Sequence, residues 1–176
     1  MDARNYSCVY NEEFRAGLSY PVYRTGYEKI NMEQDVKYMK MALEEAHLAA
    51  QKGEIPVGAV IVCGNRVIAR THNLTETLTD VTAHAEMQAL TAAMNALGSK
   101  YLPECTLYVT VEPCVMCAGA LAWSQIGRVV YGAADAKKGY STYSSRILHP
   151  KTEVVAGFME AECSAIVEEF FKKLRR

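Results

Sequence analysis

The chain has 176 residues, enough for one domain with a substantial core and too few for two of ordinary size. Its composition, 50% hydrophobic and 22% charged, is that of a folded globular protein. The 19 Lys and Arg against 20 Asp and Glu leave a formal net charge of -1, which excludes an indiscriminate polycationic binder and an acidic disordered chain but leaves room for a local basic patch.

Residues 1–31 hold five of the eleven tyrosines (Tyr6, Tyr10, Tyr20, Tyr23, Tyr27) and no sustained period. They are expected outside the core, as a surface arm or as the product of a start upstream of Met32, and residues 32–176 as the domain itself. Val36, Met39, Leu43, Ala46 and Ala50 recur every three to four residues and predict an amphipathic helix over Glu33 to Lys52, stopped by Gly53. Val57 to Cys63 is apolar and β-branched, a buried strand; Gly64 and Asn65 turn it into a second strand, Arg66 to Thr71. Asn73 to Thr82 is polar and loop-like. His84 to Leu97 is an alanine-rich helix ended by Gly98. Thr106 to Val111 is a strand, Met116 to Trp123 a helix with Pro113 near its start, and Arg128 to Tyr131 a strand. A long loop, Lys137 to Lys151, leads to a short strand at Val154 to Ala156 and a closing helix at Glu160 to Leu174. The order implies an α/β fold with helices on the faces of a mixed sheet, its hairpin strands antiparallel and its later strands parallel.

Six cysteines are present: Cys8, Cys63, Cys105, Cys114, Cys117 and Cys163. There is no leader of charged then apolar residues and no apolar run near the ~20 residues of a membrane span, so the expectation is a cytoplasmic protein with reduced thiols and no membrane partner. There a close pair such as Cys114 and Cys117 signals metal or redox chemistry.

The chemistry concentrates in His84-Ala85-Glu86 and Pro113-Cys114-Val115-Met116-Cys117. Cys114 and Cys117 stand three apart at a helix start, which puts both sulfurs on one face. Thiolate and imidazole are ligands that zinc prefers, and one His with two Cys makes three. No second C-x-x-C or nearby His pair closes the set, and a zinc with three protein ligands keeps an open position for catalysis. Glu86 follows His84 by two residues; at a helix start, with Thr82 as the expected cap, both can face one cavity. A carboxylate beside the metal but not bound to it suits proton transfer from a water that the metal acidifies to a pKa of about 7. Taken singly, the residues have blander readings: a redox pair for the cysteines, a helix-cap or core histidine for His84, and a first-turn acid for Glu86. Both motifs opening helices, one of them behind a strand, favours the zinc reading.

H-A-E with P-C-x-x-C is the signature of the zinc-dependent nucleobase deaminases. Further segments extend it: Glu54 to Val60, Thr71-His72-Asn73, Leu107 to Ala120, Ile126 to Gly132 and Phe170-Phe171. Over roughly residues 33–176 the chain resembles the bacterial tRNA-specific adenosine deaminases. The resemblance implies a cytidine-deaminase-like three-layer α/β/α sandwich and hydrolytic conversion of adenosine to inosine at the wobble position of a tRNA anticodon. It implies one Zn2+ per subunit on His84, Cys114 and Cys117, with Glu86 as the catalytic proton shuttle. Asn73 would hydrogen-bond the base, the Ala85 backbone would help to read it, Val57 would line the pocket, and Asp135 would lie near the sugar. The bland alternatives are a turn residue for Asn73 and a loop acid for Asp135.

Two features depart from the family. Where some members carry an arginine before the aspartate matching Asp135, this chain has Ala134, and Lys138 to Lys151 is unlike the corresponding loop. Tyr140 and Tyr143 in that loop either stack on bases or pack. The end of the chain, Phe170, Phe171, Lys172, Lys173, Leu174, Arg175 and Arg176, is either an RNA contact, as the family implies, or a basic helix terminus complementing its dipole. The family also implies a homodimer. The competing readings are a free-base guanine or cytosine deaminase on the same fold, and a catalytically silent zinc-binding module, against which the intact Glu86 speaks.

Overall fold

The computed structural model describes the backbone of residues 26–175 and the side chains of residues 32–175. Most of the expected arm, residues 1–25, and Arg176 at the basic end lie outside the described residues. The elements in chain order are α1 (Gly26–Gln51), β1 (Gly58–Cys63), β2 (Arg66–His72), α2 (Thr75–Leu78), α3 (Ala85–Leu97), β3 (Cys105–Val111), α4 (Val115–Trp123), β4 (Arg128–Ala133), β5 (Glu153–Val155) and α5 (Glu160–Leu174).

The five strands form one sheet in the order β2-β1-β3-β4-β5. β1 pairs antiparallel with β2 and with β3, whereas β3, β4 and β5 run parallel. The sheet is therefore mixed, as the element order implies. Side chains alternate between its faces. Ala59 and Ile61 of β1 join Leu107 and Val109 of β3 in one cluster with Ala89, Leu90, Ala118 and Leu121 from α3 and α4. Val60, Val62 and Tyr108 point the other way, to Tyr38, Met39 and Ala42 of α1 and Cys163 of α5. Two helical layers thus enclose the sheet, and α3 and α4 share the layer in which both motif helices lie.

The layers are held by close packing and by ion pairs between α1 and the sheet. A Cβ at Gly58 would collide with the backbone of α1 at Ala42 and Ala46, so only glycine lets β1 and α1 approach this closely. Arg128 at the start of β4 grips Asp35 of α1 with two hydrogen bonds of 2.7 and 2.8 Å, and the Tyr108 hydroxyl donates to the same carboxylate at 2.6 Å. Burial, then that bond to Asp35, push the Tyr108 hydroxyl above its ordinary range.

Three local expectations are corrected. α1 begins at Gly26, seven residues before Glu33, so its first turns lie in the segment expected outside the core. The stretch Asn73 to Thr82 holds a one-turn helix, α2. The N-cap of α3 is His84; Thr82 instead donates its backbone N–H and its hydroxyl to Asp80 Oδ1 at 2.8 and 2.7 Å. Asp80 outcompetes the helix for Thr82 because an aspartate two residues upstream closes a tight local turn.

Candidate active site

Strand β3 ends at Val111, and the chain passes through Glu112 and Pro113 into α4. Cys114 is the N-cap of α4 with extended backbone (φ -71, ψ 171), and Cys117 lies in its first turn. His84 caps α3, also extended (φ -67, ψ 152). Neither side chain caps its own helix. Each is left free to turn toward the other, and two helix N-termini converge with their positive ends on one spot. His84 Nδ1 stands 3.7 Å from Cys114 Sγ and 3.5 Å from Cys117 Sγ. The three ligand atoms lie within 4.8 Å of one another, a set that can hold a metal ion.

The electrostatics suit a cation. Hydrogen bonding with Cys117 pulls the Cys114 thiol down to about 4, with further help from His84. The same contact, with burial, raises Cys117. Hydrogen bonding to Cys114 raises His84 against the effect of its burial. Glu86, in the first turn of α3, is buried, with 4% of its surface exposed. Its carboxyl reaches the Cys117 thiol yet stands outside the three-ligand set. Burial raises its pKa above the ordinary carboxyl range, partly opposed by its own backbone N–H and by His84.

The other predicted residues are held by hydrogen bonds and packing of their own. Thr71 donates its hydroxyl to the Ala85 carbonyl at 2.8 Å, leaving the Ala85 N–H among the first-turn donors that a helix cannot satisfy by itself. Asn73 is buried; its backbone N–H donates to the Val57 carbonyl at 3.0 Å and its Nδ2 to the Thr75 hydroxyl at 3.0 Å. Val57 is half-buried against the core. Asp135 Oδ1 accepts the backbone N–H groups of Lys137 and Lys138 at 2.9 and 3.0 Å, which gives this side chain a turn-forming role.

The MafB19-like deaminase model matches residues 33–175 of this chain. The chain belongs to that deaminase family. The deaminase is 47% identical over 150 residues to the tRNA-specific adenosine deaminase of Bacillus subtilis (strain 168), covering 82% of this chain and 93% of the relative. A solved structure from a study of A-to-I editing by tRNA:A34 deaminases at the wobble position superposes with a TM-score of 0.70 at 43% identity, covering 74% of this chain and 99% of that one. The guanine deaminase of Bacillus subtilis is more distant: TM-score 0.56 and 36% identity over 65% of this chain and 77% of that one.

The deaminase also holds two buried carboxylates that the motif reading did not single out as site residues. Glu112 accepts the backbone N–H groups of Asp135 at 3.1 Å and Ser141 at 2.9 Å, clamping the 135–141 loop beside Cys114. A Cβ at Gly139 would strike the Glu112 carboxylate, so glycine is required where the loop bridges to Cys114. Glu54, fully buried, accepts the backbone N–H groups of Glu76 and Thr77 at 3.1 and 2.7 Å and the Thr75 hydroxyl at 3.3 Å. Glu54 and Glu112 stood in the motif segments, but their partners lie 21 to 29 residues away, so no local spacing announces the roles. In the divergent loop, Tyr140 packs in the core, whereas Tyr143 is 62% exposed. At the basic end Phe170 is half-buried, and Phe171, Lys172, Lys173 and Arg175 are exposed. Lys173 pairs with Glu169 at 2.7 Å and Arg175 donates to the Phe171 carbonyl at 3.2 Å, interactions that a plain helix terminus would also make.

Proposed function

We propose that this deaminase converts adenosine to inosine at the wobble position of a tRNA anticodon, with zinc on His84, Cys114 and Cys117. The observation that carries the zinc assignment is the ligand spacing. Tetrahedral bonds of about 2.0 Å to nitrogen and about 2.3 Å to sulfur separate N from S by about 3.5 Å. The His84 Nδ1 to Sγ distances of 3.5 and 3.7 Å fit that figure, and the set offers three protein donors. Zinc bound there supplies a Lewis acid that lowers the pKa of water to about 7.

The remaining steps belong to the chain's own residues. Glu86 takes a proton from the attacking water. Its burial, which raises its pKa, lets it hold that proton and pass it to the ring nitrogen of the base. A second proton follows the same route to the departing ammonia. Asn73 hydrogen-bonds the base against a wall that includes Val57, and the Ala85 N–H is a further donor. Asp135 lies toward the sugar. The basic end from Phe170 to Arg176 meets the RNA backbone, and Tyr143 is available for stacking.

No helix among the described residues is long and apolar enough to cross a membrane. The reading places the enzyme in the cytoplasm, where its tRNA substrate is found, with residues 1–31 an N-terminal extension whose last residues, from Gly26, already belong to α1. It also makes the enzyme a homodimer: Met116 and Trp123, 36% and 85% exposed, lie on one face of α4 next to the site and form an apolar patch.

The guanine deaminase likeness supports a second reading, free-base deamination on the same fold. One assay separates the two. The purified enzyme is incubated with an anticodon stem-loop carrying a wobble adenosine, and separately with free guanine and free cytosine. Inosine in the RNA and no product from either base is the expected result; product from a base alone overturns the assignment.

A further inference from the structure

Glu54 lies outside the H-A-E and P-C-x-x-C motifs, yet it is wholly buried and ends a chain of hydrogen bonds that reaches Asn73. The direction of every bond in that chain follows from its first member. An ionised carboxylate accepts and cannot donate. Burial opposes the charge on Glu54, but the N–H groups of Thr77 and Glu76 and the Thr75 hydroxyl outweigh it and hold the carboxyl below its ordinary range. Thr75 has one hydroxyl proton, and Glu54 takes it. Thr75 Oγ1 therefore presents only lone pairs to Asn73, and the group opposite must be the NH2 of the amide, which is the 3.0 Å contact observed. The reverse amide orientation would set Asn73 Oδ1 against Oγ1 with no proton between them. None of the Asn73 side-chain hydrogen bonds uses Oδ1, and no buried side-chain N or O atom among the described residues lacks a partner, so Oδ1 faces solvent.

We propose that Glu54 is a positioning residue that acts through Thr75 to lock the Asn73 carboxamide with Oδ1 turned outward, as an acceptor for an N–H group of the substrate base. The inference rests on the assignment of Asn73 to base binding. The same carboxylate accepts two backbone N–H groups at the start of α2, a helix that its own N-cap, Leu74, leaves without a side-chain cap. One buried charge thus orders the segment after β2 and sets the polarity of its binding group.

The test compares Thr75→Val, which keeps the shape and removes the hydroxyl, with Thr75→Ser, which restores it, both in the zinc-loaded full-length chain. Turnover of the stem-loop and hydrogen exchange at the Asn73 carboxamide, followed by NMR, are read for each, together with zinc content and thermal midpoint. A hydrogen bond of ordinary net worth predicts a loss of about tenfold in kcat/KM for Thr75→Val, carried mainly by KM. Its Asn73 NH2 should exchange faster, and Thr75→Ser should restore both readings at unchanged zinc content. If Thr75→Val lowers only the thermal midpoint and leaves kcat/KM and the carboxamide exchange as in the wild type, the positioning role is wrong. A wild type inactive on RNA would overturn the proposed function instead, and carboxamide exchange would still decide the relay.

Discussion

Glu86 is separated from His84 by one residue, a spacing that in mid-helix would point the two side chains apart. The extended backbone of His84 at the N-cap removes that conflict: the imidazole turns toward the cysteines while Glu86 enters the pocket from the first turn. A local pattern made this arrangement legible because Cys114 and Cys117 stand three residues apart and His84 and Glu86 two, although the two motifs lie some 30 residues from each other. Asn73 and Asp135 are singled out only by resemblance, since a lone amide or acid in a loop has no distinctive spacing. The structure adds a competing role for Asp135, whose Oδ1 closes a turn. Replacing Glu86 by Gln preserves volume and removes the proton acceptor. The expected result is a fall in kcat of at least about 100-fold, the lower end of what general acid–base catalysis contributes, with zinc still bound at one per chain by elemental analysis. Loss of zinc from Glu86→Gln would make the residue a structural support of the ligands and not a shuttle.

At the level of elements, hydrophobic period located the long helices and the central strands but missed α2. Four residues are too few to show a period, and α2 owes its N-terminal hydrogen bonds to Glu54, which lies more than twenty residues earlier. Sheet order was legible in part: the hairpin and the β3–α4–β4 crossover follow from local connection rules, whereas the antiparallel pairing of β1 with β3 required the tertiary structure. Glu54 also gives stability a pH dependence. Its pKa is depressed in the folded state, so its contribution is fully present above the unfolded carboxyl value of about 4.3 and is lost as pH falls through the lower folded value. Thermal midpoints measured from about pH 6 to about pH 3 should fall more steeply for the wild type than for Glu54→Gln, so that the two curves approach each other in acid. Curves that stay parallel would show that Glu54 carries no such linkage.

Across the whole molecule, a net charge of -1 is compatible with an RNA partner because the charges are unevenly placed. Acids are engaged inside the fold at Asp35, Glu45, Glu54 and Glu112, while Lys172, Lys173 and Arg175 are exposed on the last turn of α5 and beyond it. Deleting Lys172 to Arg176 should weaken stem-loop binding and flatten its salt dependence, by a slope of about 0.7 to 0.9 for each phosphate that the shortened chain no longer neutralises. An unchanged slope would assign the basic end to helix termination alone. The exposed α4 patch predicts a dimer by sedimentation at micromolar concentration, and Trp123→Glu should shift it toward monomer; a wild type that sediments as a monomer removes this part of the reading.

A zinc-dependent shuttle acting on one adenosine of a folded RNA must leave its product at one place. Stem-loops carrying adenosine at the wobble position and at other loop positions are therefore incubated with zinc-loaded enzyme, digested, and assayed for inosine. Inosine is expected at the wobble position alone, and none with Glu86→Gln; inosine spread over all loop adenosines, or formed equally by the Gln variant, would overturn the proposed reaction.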